Sequence, residues 1–419
     1  MSEKSLTPII RFKGFADAWE QRKVSEIAYR FDGQRVPVAE SKRVEGNTPY
    51  YGANGIQDFV KGYTHDGEFV LVAEDGANDL KNYPVQYVKG RIWVNNHAHV
   101  LQANEQNNTM FLKYLINSTN MESVLVGGGR AKLNANVLMD LNFYLPKKNE
   151  QKSISSLLSN LVSVITLHQR KLDKLVQLKS SFLEKMFPTN VCNKPQIRFK
   201  GFSDAWEQRK LSDICVFLKG NGLSWDDISD EGRHECVLYG NLYTDYGMIA
   251  DKVVYKTNSS SSSFLHSKKY DVLIPGDDTT PTGLARATSL EVDGVILGGG
   301  INVLRSDTFN GSFLSLSLNR NKHKMIPLIT GTTVRHLNNN SLKTIELSLS
   351  NNGREQLKIR DLFYSIDVLI TLHQREQSNN FNKAQIKIAL PNQHLCSLVL
   401  ELCASMFFLL YSCLNGLIF

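Results

Sequence analysis

Between Ile154 and Met186 the apolar positions fall three and four residues apart. The stripe runs Ile154, Leu158, Leu161, Ile165, Leu172, Leu175, Leu178, Phe182 and Met186, with His168 on the same line. That period predicts one long amphipathic helix with a coiled-coil seam. Pro146 lies just before it and Pro188 ends it. At about 1.5 Å per residue such a helix is a rod of roughly 55 Å. Its charged positions carry eight Lys or Arg against three acids (Glu150, Asp173, Glu184), and most simply form a solvated face.

Elsewhere the pattern is shorter and alternating. Glu68–Ala73, Val85–Val88, Arg91–Val94, Val100–Gln102, Val253–Lys256, Asp271–Ile274 and Val295–Leu297 predict strands, punctuated by the Gly, Asn, Asp and Pro that hairpins and loops require. The run Thr257–Ser263 predicts a flexible surface loop.

Self-comparison then sets the architecture. Residues 8–27 (PIIRFKGFADAWEQRKVSEI) recur at 195–214 (PQIRFKGFSDAWEQRKLSDI), differing only at Ile9/Gln196, Ala16/Ser203, Val24/Leu211 and Glu26/Asp213. A second pair, EQKSISSLLSNLVSVITLHQR at 150–170 and EQLKIRDLFYSIDVLITLHQR at 355–375, follows each copy. The middles share little obvious sequence. Drift would not preserve an exposed FKGFxDAWEQRK while erasing a core, so the pattern predicts two equivalent frames carrying two different heads. The expected organisation is a mixed α/β module at 1–149, a long helix at 150–188, a second module at 189–354, a second helix at 355–376 and a tail at 377–419. The repeated segments Pro8–Ile27 and 195–214 read as helices anchored by half-buried Trp19 and Trp206.

Composition changes this picture little. The chain has 419 residues, 42% hydrophobic, with a formal net charge of +7, a mild lean towards an anionic partner. Six cysteines without Cys-x-x-Cys spacing fit reduced thiols in a cytoplasm, and Met1–Lys13 lacks the apolar core of a signal peptide. No P-loop, His-Glu-x-x-His or Asn/Asp-Pro-Pro-Tyr box is present. Gly127–Gly129 and Gly298–Gly300 read as tight turns, Pro275 with Asp277 and Asp278 lacks the Glu-x-Lys of a nuclease, and His97 with His99 reads as packing or a polar contact, not a metal site.

What remains suits nucleic acid. Each module ends in a loop, an apolar helix-like stretch and a strand, at Gly127–Pro146 and Gly331–Ser350. The first loop offers Arg130, Lys132 and Asn134, the second Thr332, Thr333, Arg335, His336 and Asn338. Small residues allow close backbone approach, Arg and Asn can pair bidentately with guanine and adenine edges, and Thr and Lys suit phosphates.

At RFKGFADAWEQRK, GGGRAKLNANVLMDLNFYLP followed by EQ, and LHQRKLDKLVQLKSSFLEKMFP, the chain resembles the specificity subunits of type I restriction–modification systems over about 1–375. The resemblance implies an α+β protein: two pseudo-symmetric mixed α/β target-recognition domains, each reading half of a split double-stranded DNA site, separated by long antiparallel coiled-coil helices. Leu161, Ile165, His168, Leu172, Leu175, Phe182, Ile366, Ile370 and His373 would form the spacer and dock modification subunits. It implies no catalytic site and no cofactor in this chain; S-adenosylmethionine, ATP and Mg belong to the methyltransferase and to the restriction/translocase partners. One departure stands out. After the shared LHQR the second copy continues EQSNNFNKAQIKIALPNQ, and the positions matching Leu172, Leu175 and Phe182 are Gln377, Asn380 and Lys387. The second helix is therefore expected to end near 376, leaving the seam exposed along Leu172–Met186. The apolar tail, with one charge (Glu401) in Leu395–Phe419, reads as a shifted reading frame or recombined gene end. The alternatives are a membrane anchor there, or a non-catalytic scaffold built on the repeats.

Overall fold

The computed structural model describes residues 11–80, 82–127, 131–189, 192–387 and 417–418, with the backbone alone from 375 onward. The described residues divide into two compact units, the first taking in 11–167 and 380–387 and the second 168–379 and 417–418.

In the first unit, six strands form one sheet in the order Ala28–Arg30, Ala98–Ala103, His65–Ala73, Val85–Val94, Glu45–Gly52, Gly55–Val60. All neighbours are antiparallel except Glu45–Gly52 beside Val85–Val94. The apolar run of the central strand follows from its two-sided burial. Val70 and Val72 face Leu101 and the helix Thr109–Asn117, while Phe69 and Leu71 face Val88, Ile92 and Val100. The two strands expected at Val85–Val88 and Arg91–Val94 are one. Gly90, at φ +94°, sits opposite Gly67 and lets the chain kink without leaving the ladder.

The second unit builds a five-stranded sheet in the order Val216–Lys219, Ile301–Arg305, Asp271–Pro275, Thr288–Leu290, Ile249–Ala250, with a smaller sheet of Tyr255–Thr257, His234–Val237 and Ile296–Leu297. The first four strands repeat the order seen in the first unit: frame strand, late strand, central strand, next strand. A helix follows the late strand in both, Thr109–Asn117 and Gly311–Arg320. Asn108 and Asn310 cap these helices, accepting from Phe111 N at 2.8 Å and Phe313 N at 3.1 Å. So the divergent middles keep a common topology.

The repeated segments explain why they are repeated. Among the described residues neither is a continuous helix; only the last turn of each, Val24–Ile27 and Leu211–Ile214, is helical. Gly14 (φ +99°) and Gly201 (φ +95°) break any helix, and Glu20–Lys23 and Glu207–Lys210 are strands. Each pairs antiparallel with the strand that leads into a long helix: Glu20↔Leu145 to Lys23↔Asn142, and Glu207↔Leu349 to Lys210↔Glu346. Arg11 grips Glu150 through two hydrogen bonds of 2.7 Å, and Arg198 grips Glu355 at 2.6 and 2.9 Å. Gln151 and Gln356 each accept from the backbone N–H of the capping asparagine, at 2.9 Å in both units. A buried bidentate pair tolerates no drift on either side, which accounts for the invariance of RF at one end and EQ at the other. Trp19 is half-buried as expected, but Trp206 is fully buried against Phe187 and Phe313.

The first long helix is Lys148–Lys185 and the second Gly353–Lys387. Within the second unit the two run antiparallel. Lys179 meets Asp367 at 2.5 Å, and the rings of His168 and His373 lie edge to face at 5.8 Å, so numbers rise on one helix as they fall on the other. Two expectations are corrected here. The seam is not exposed to Met186: Phe182, Met186 and Phe187 are buried among Ile359, Leu362, Phe363 and Ile366, with Leu178 and Ile370 at the margin. Module and second helix cover it together. Nor does the second helix end near 376, because EQSNNFNKAQIK contains no Gly or Pro. Losing an apolar seam removes a packing pattern, not the helical backbone; the first breaker is Pro391. Of the tail, 388–416 and 419 lie outside the described residues.

Candidate nucleic-acid interface

The central strand of each sheet runs into an acidic turn, and that turn holds the loop from which DNA contacts are expected. In the first unit His65–Ala73 is followed by Glu74 and Asp75. Leu133 N donates to Glu74 O at 2.7 Å, and Val126 and Lys132 exchange both backbone hydrogen bonds at 2.9 Å. In the second, Asp271–Pro275 is followed by Gly276, Asp277 and Asp278. Leu337 N donates to Gly276 O at 2.9 Å, Thr330 pairs with His336, and Arg335–His336 runs antiparallel to Asp277–Asp278. Both loops are thus hairpins closed over seven residues, Val126–Lys132 and Thr330–His336. Gly127 and Gly331 both enter the loop at positive φ, +95° and +94°, which favours glycine. Leu133 and Leu337 are the buried plugs beneath, and Asn134 and Asn338 stand at the N-caps of short helices. The matching sequence is short, KLN in one loop and HLN in the other.

An imidazole–carboxylate contact sits at the base of each hairpin, built from different places. His97 Nδ1 lies 2.5 Å from Asp75 in the first unit, where His97 comes from the turn before Ala98–Ala103. His336 Nδ1 lies 2.6 Å from Asp277 in the second, where the histidine is part of the hairpin itself. Behind the first hairpin a charged cluster is largely buried. His99 lies 2.7 Å from Asp32 and 2.9 Å from the Leu133 carbonyl, and Glu74 receives Arg35 at 2.7 Å and Lys132 at 2.9 Å. Burial alone would push the Glu74 carboxyl up, but the hydrogen bonds from Arg35 and Lys132 outweigh it and hold the group below the ordinary carboxylate range.

Of the residues singled out from the sequence, Arg130 lies outside the described residues. Lys132 is already paired with Glu74, while Asn134 is exposed. Thr332 and Thr333 are exposed at the tip of the second hairpin. Arg335 donates to the Gly331 carbonyl at 3.3 Å, His336 holds Asp277, and Asn338 accepts from Ser341 N at 2.9 Å as a cap. The structure therefore places Lys132, Thr332, Thr333, Arg335 and His336 on the two hairpins and Asn134 and Asn338 just after them, and gives Lys132, His336 and Asn338 structural partners. Sequence reasoning missed the supports: Glu74, Asp75 and Asp277, and Tyr243, whose hydroxyl donates to Asp277 O at 2.6 Å. The shared Leu-Asn after each loop was the signal that could have aligned them. His97 and His99 are polar contacts, and no group of three metal-ligating side chains occurs among the described residues.

Along the spacer stripe, Phe182, Ile366 and His373 are buried, and His168, Leu161, Leu172, Leu175 and Ile370 half-buried. Ile165 departs from the expected seam at 53% exposed, and Leu157, Val162 and Leu167 near it are exposed too. Among the described residues no helix is long and apolar enough to cross a membrane.

The family described as type I restriction modification DNA specificity domain matches the chain twice, over residues 16–177 and 203–380. The chain belongs to this specificity family. The two matches fall one on each repeat, as the duplicated frame requires. A putative type I restriction enzyme specificity subunit of Haemophilus influenzae is 43% identical over 145 residues, which is 35% of this chain and 38% of that protein. A type I restriction enzyme specificity subunit of Escherichia coli is 25% identical, and the chain spans 37% of its length. The chain thus covers little more than a third of these two relatives. The specificity subunit of a type I restriction enzyme of Methanocaldococcus jannaschii is 21% identical over 407 residues, covering 88% of this chain and 91% of that one. Among solved structures, the S subunit of a type I restriction–modification system from M. genitalium shares the fold, with a TM-score of 0.62 at 13% identity, covering 93% of this chain and all of the other. The fold of this specificity-family member is accordingly two mixed α/β domains with long helices between and after them.

Proposed function

We propose that this specificity-family protein reads a split double-stranded DNA site, one half with each hairpin end, and directs methyltransferase and restriction/translocase subunits to it. The observation that carries the reading is the pair of hairpins. Two unrelated sequences are set on the same strand, over the same buried leucine, in frames held by the same Arg–Glu grip. A common mount with a changeable tip is what a protein needs to read two different half-sites with one architecture. Exposed Thr332 and Thr333, with Arg130 and Arg335, supply groups that can meet base edges and phosphates.

The spacing follows from the helices. Lys148–Lys185 has 38 residues, which at about 1.5 Å each makes a rod of roughly 57 Å, longer than one DNA turn of about 34 Å. The rod length then fixes the gap between half-sites and not their sequence. The exposed apolar residues Leu157, Val162, Ile165 and Leu167 support docking of modification subunits along this helix. In this reading chemistry lies with the partners, as do S-adenosylmethionine, ATP and Mg. The test is co-expression with the cognate methyltransferase subunit, followed by mapping of modified sites in cellular DNA. A two-part motif with a fixed gap is expected; a continuous motif, or no assembly with any methyltransferase subunit, would overturn the reading.

A further inference from the structure

Beside the second hairpin an open cleft of about 690 Å³ is lined by Tyr243, Asp278, Thr280, Thr282, Arg286 and Lys322, among others. It adjoins the reading end directly. Asp278 belongs to the strand that pairs with the hairpin, and the Tyr243 hydroxyl holds the neighbouring Asp277 carbonyl.

The cleft's arginine differs from four others in this unit in how it is held. Arg198, Arg209, Arg305 and Arg360 are committed to Glu355, Glu207, Asp271 and Glu291. Arg286 instead donates through Nη1 to the Tyr243 carbonyl at 2.9 Å, with its guanidinium over the Tyr243 ring at 5.9 Å. No carboxylate among the described residues forms an ion pair with Arg286 or with Lys322. A guanidinium held by a carbonyl and a ring is fixed in place while its charge remains available, so little rotamer freedom is lost when an anion arrives. The one acid in the lining, Asp278, is turned onto Thr279 N at 2.5 Å and the Thr280 hydroxyl at 3.1 Å, away from neither cation's charge but engaged with its own loop. The three charged lining groups therefore sum to +1. The surroundings reinforce the sign. Arg320, Lys322, His323 and Lys324 follow closely in sequence, and burial, then Lys324 and Arg320, hold the His323 imidazole below its ordinary range.

We propose that this cleft seats a backbone phosphate of the bound DNA, held by Arg286 and Lys322, and so anchors the second domain next to its reading hairpin. The proposal rests on the DNA-reading function above. It separates two jobs within one domain: the hairpin tip chooses the sequence, and the cleft supplies sequence-independent, salt-dependent grip.

The test uses the full chain in its complex with the methyltransferase subunits, with binding to the mapped DNA site measured across a salt series. Arg286→Gln and Lys322→Gln are each expected to weaken binding several-fold and to lower the slope of log affinity against log salt by about 1. The mapped motif should stay the same in both halves, and Arg286→Lys should keep the wild-type slope. Lys322 is exposed, so its variant reports on charge where loss of the Tyr243 contact in Arg286→Gln disturbs the fold. An unchanged slope in Lys322→Gln and Arg286→Gln, with wild-type binding intact, overturns the cleft assignment alone. A changed second half-motif also overturns it, making the cleft a base reader. A wild-type complex that shows no site-specific binding takes down the DNA-reading function itself.

Discussion

The two hairpin ends solve one mounting problem with different residues. In the first unit the hairpin leans on a charged cluster with a buried centre: Lys132 and Arg35 on Glu74 and His99 on Asp32, with the more exposed His97 on Asp75. In the second the support is a short strand pair, with His336 on Asp277 and Tyr243 behind. What is common is backbone geometry: a left-handed glycine, closure over seven residues, a buried leucine, and an asparagine at the N-cap position of a short helix. The comparison teaches that the frame preserves position, whereas each head is free to choose its own side-chain chemistry. Polar satisfaction is local, so either solution works wherever every buried group finds a partner.

If the frames are equivalent, breaking them should cost both units alike, and the largest effects lie there. Arg11→Ala leaves the buried Glu150 without its guanidinium partner and should lower the melting temperature of the first unit, while Arg198→Ala leaves the buried Glu355 with Ser350 alone, an expected loss of about 3–5 kcal/mol. Thermal unfolding with limited proteolysis should show the damage confined to the first unit for Arg11 and the second for Arg198. Equal loss in both units from either variant would mean that they do not fold as separate frames. Truncating Phe187, which stacks on Phe313 and packs against Trp206 and Phe363, should cost the second unit a similar 3–5 kcal/mol.

The next effect concerns pH and is largest in the first unit, where the lowered histidine is buried. His65 is buried between Thr64 and the Phe31 carbonyl, and burial holds its imidazole below the ordinary value of about 6.5. The folded first unit keeps this ring neutral while the unfolded chain accepts a proton. Stability should therefore be full above about pH 6.5 and fall as pH drops through it, by at most about 1.4 kcal/mol per pH unit until the folded ring titrates as well. Chemical denaturation of the wild type and of His65→Gln at several pH values checks this. Because His323 in the second unit is lowered as well, a slope as steep in His65→Gln as in the wild type, not merely a residual one, refutes the assignment to His65.

The smallest effect sharpens the comparison. Asn108→Ala and Asn310→Ala remove equivalent helix caps, and each should cost about 1 kcal/mol. Costs that differ by much more than this would show that the shared topology hides different energetics.

Much of this was legible in the sequence, for identifiable reasons. The repeats, the long helices and most strands followed from period and identity. The frame segment was misread because EQRK has no strand-like alternation; its ladder partner lies more than a hundred residues away, and pairing over that distance leaves no local mark. Trp206 was placed half-buried because nothing local says that Phe187 and Phe313 converge on it. The lost seam predicts an end near 376, but a helix that loses its packing stripe keeps its backbone hydrogen bonds and runs to Lys387. The two loops stand out in the sequence by their glycines and polar residues, but their acidic supports do not, since Glu74 and Asp277 look like ordinary loop acids until the strand before them is placed.

The central claim is that each hairpin reads one half of the target. Replacing residues 127–131 with the sequence of 331–335, within the intact frame, and mapping methylated sites in cells expressing the variant with its methyltransferase tests it most directly. The account predicts that one half of the motif changes while the other half and the gap stay as they were. A change in both halves, or in neither with the complex still active, would contradict it.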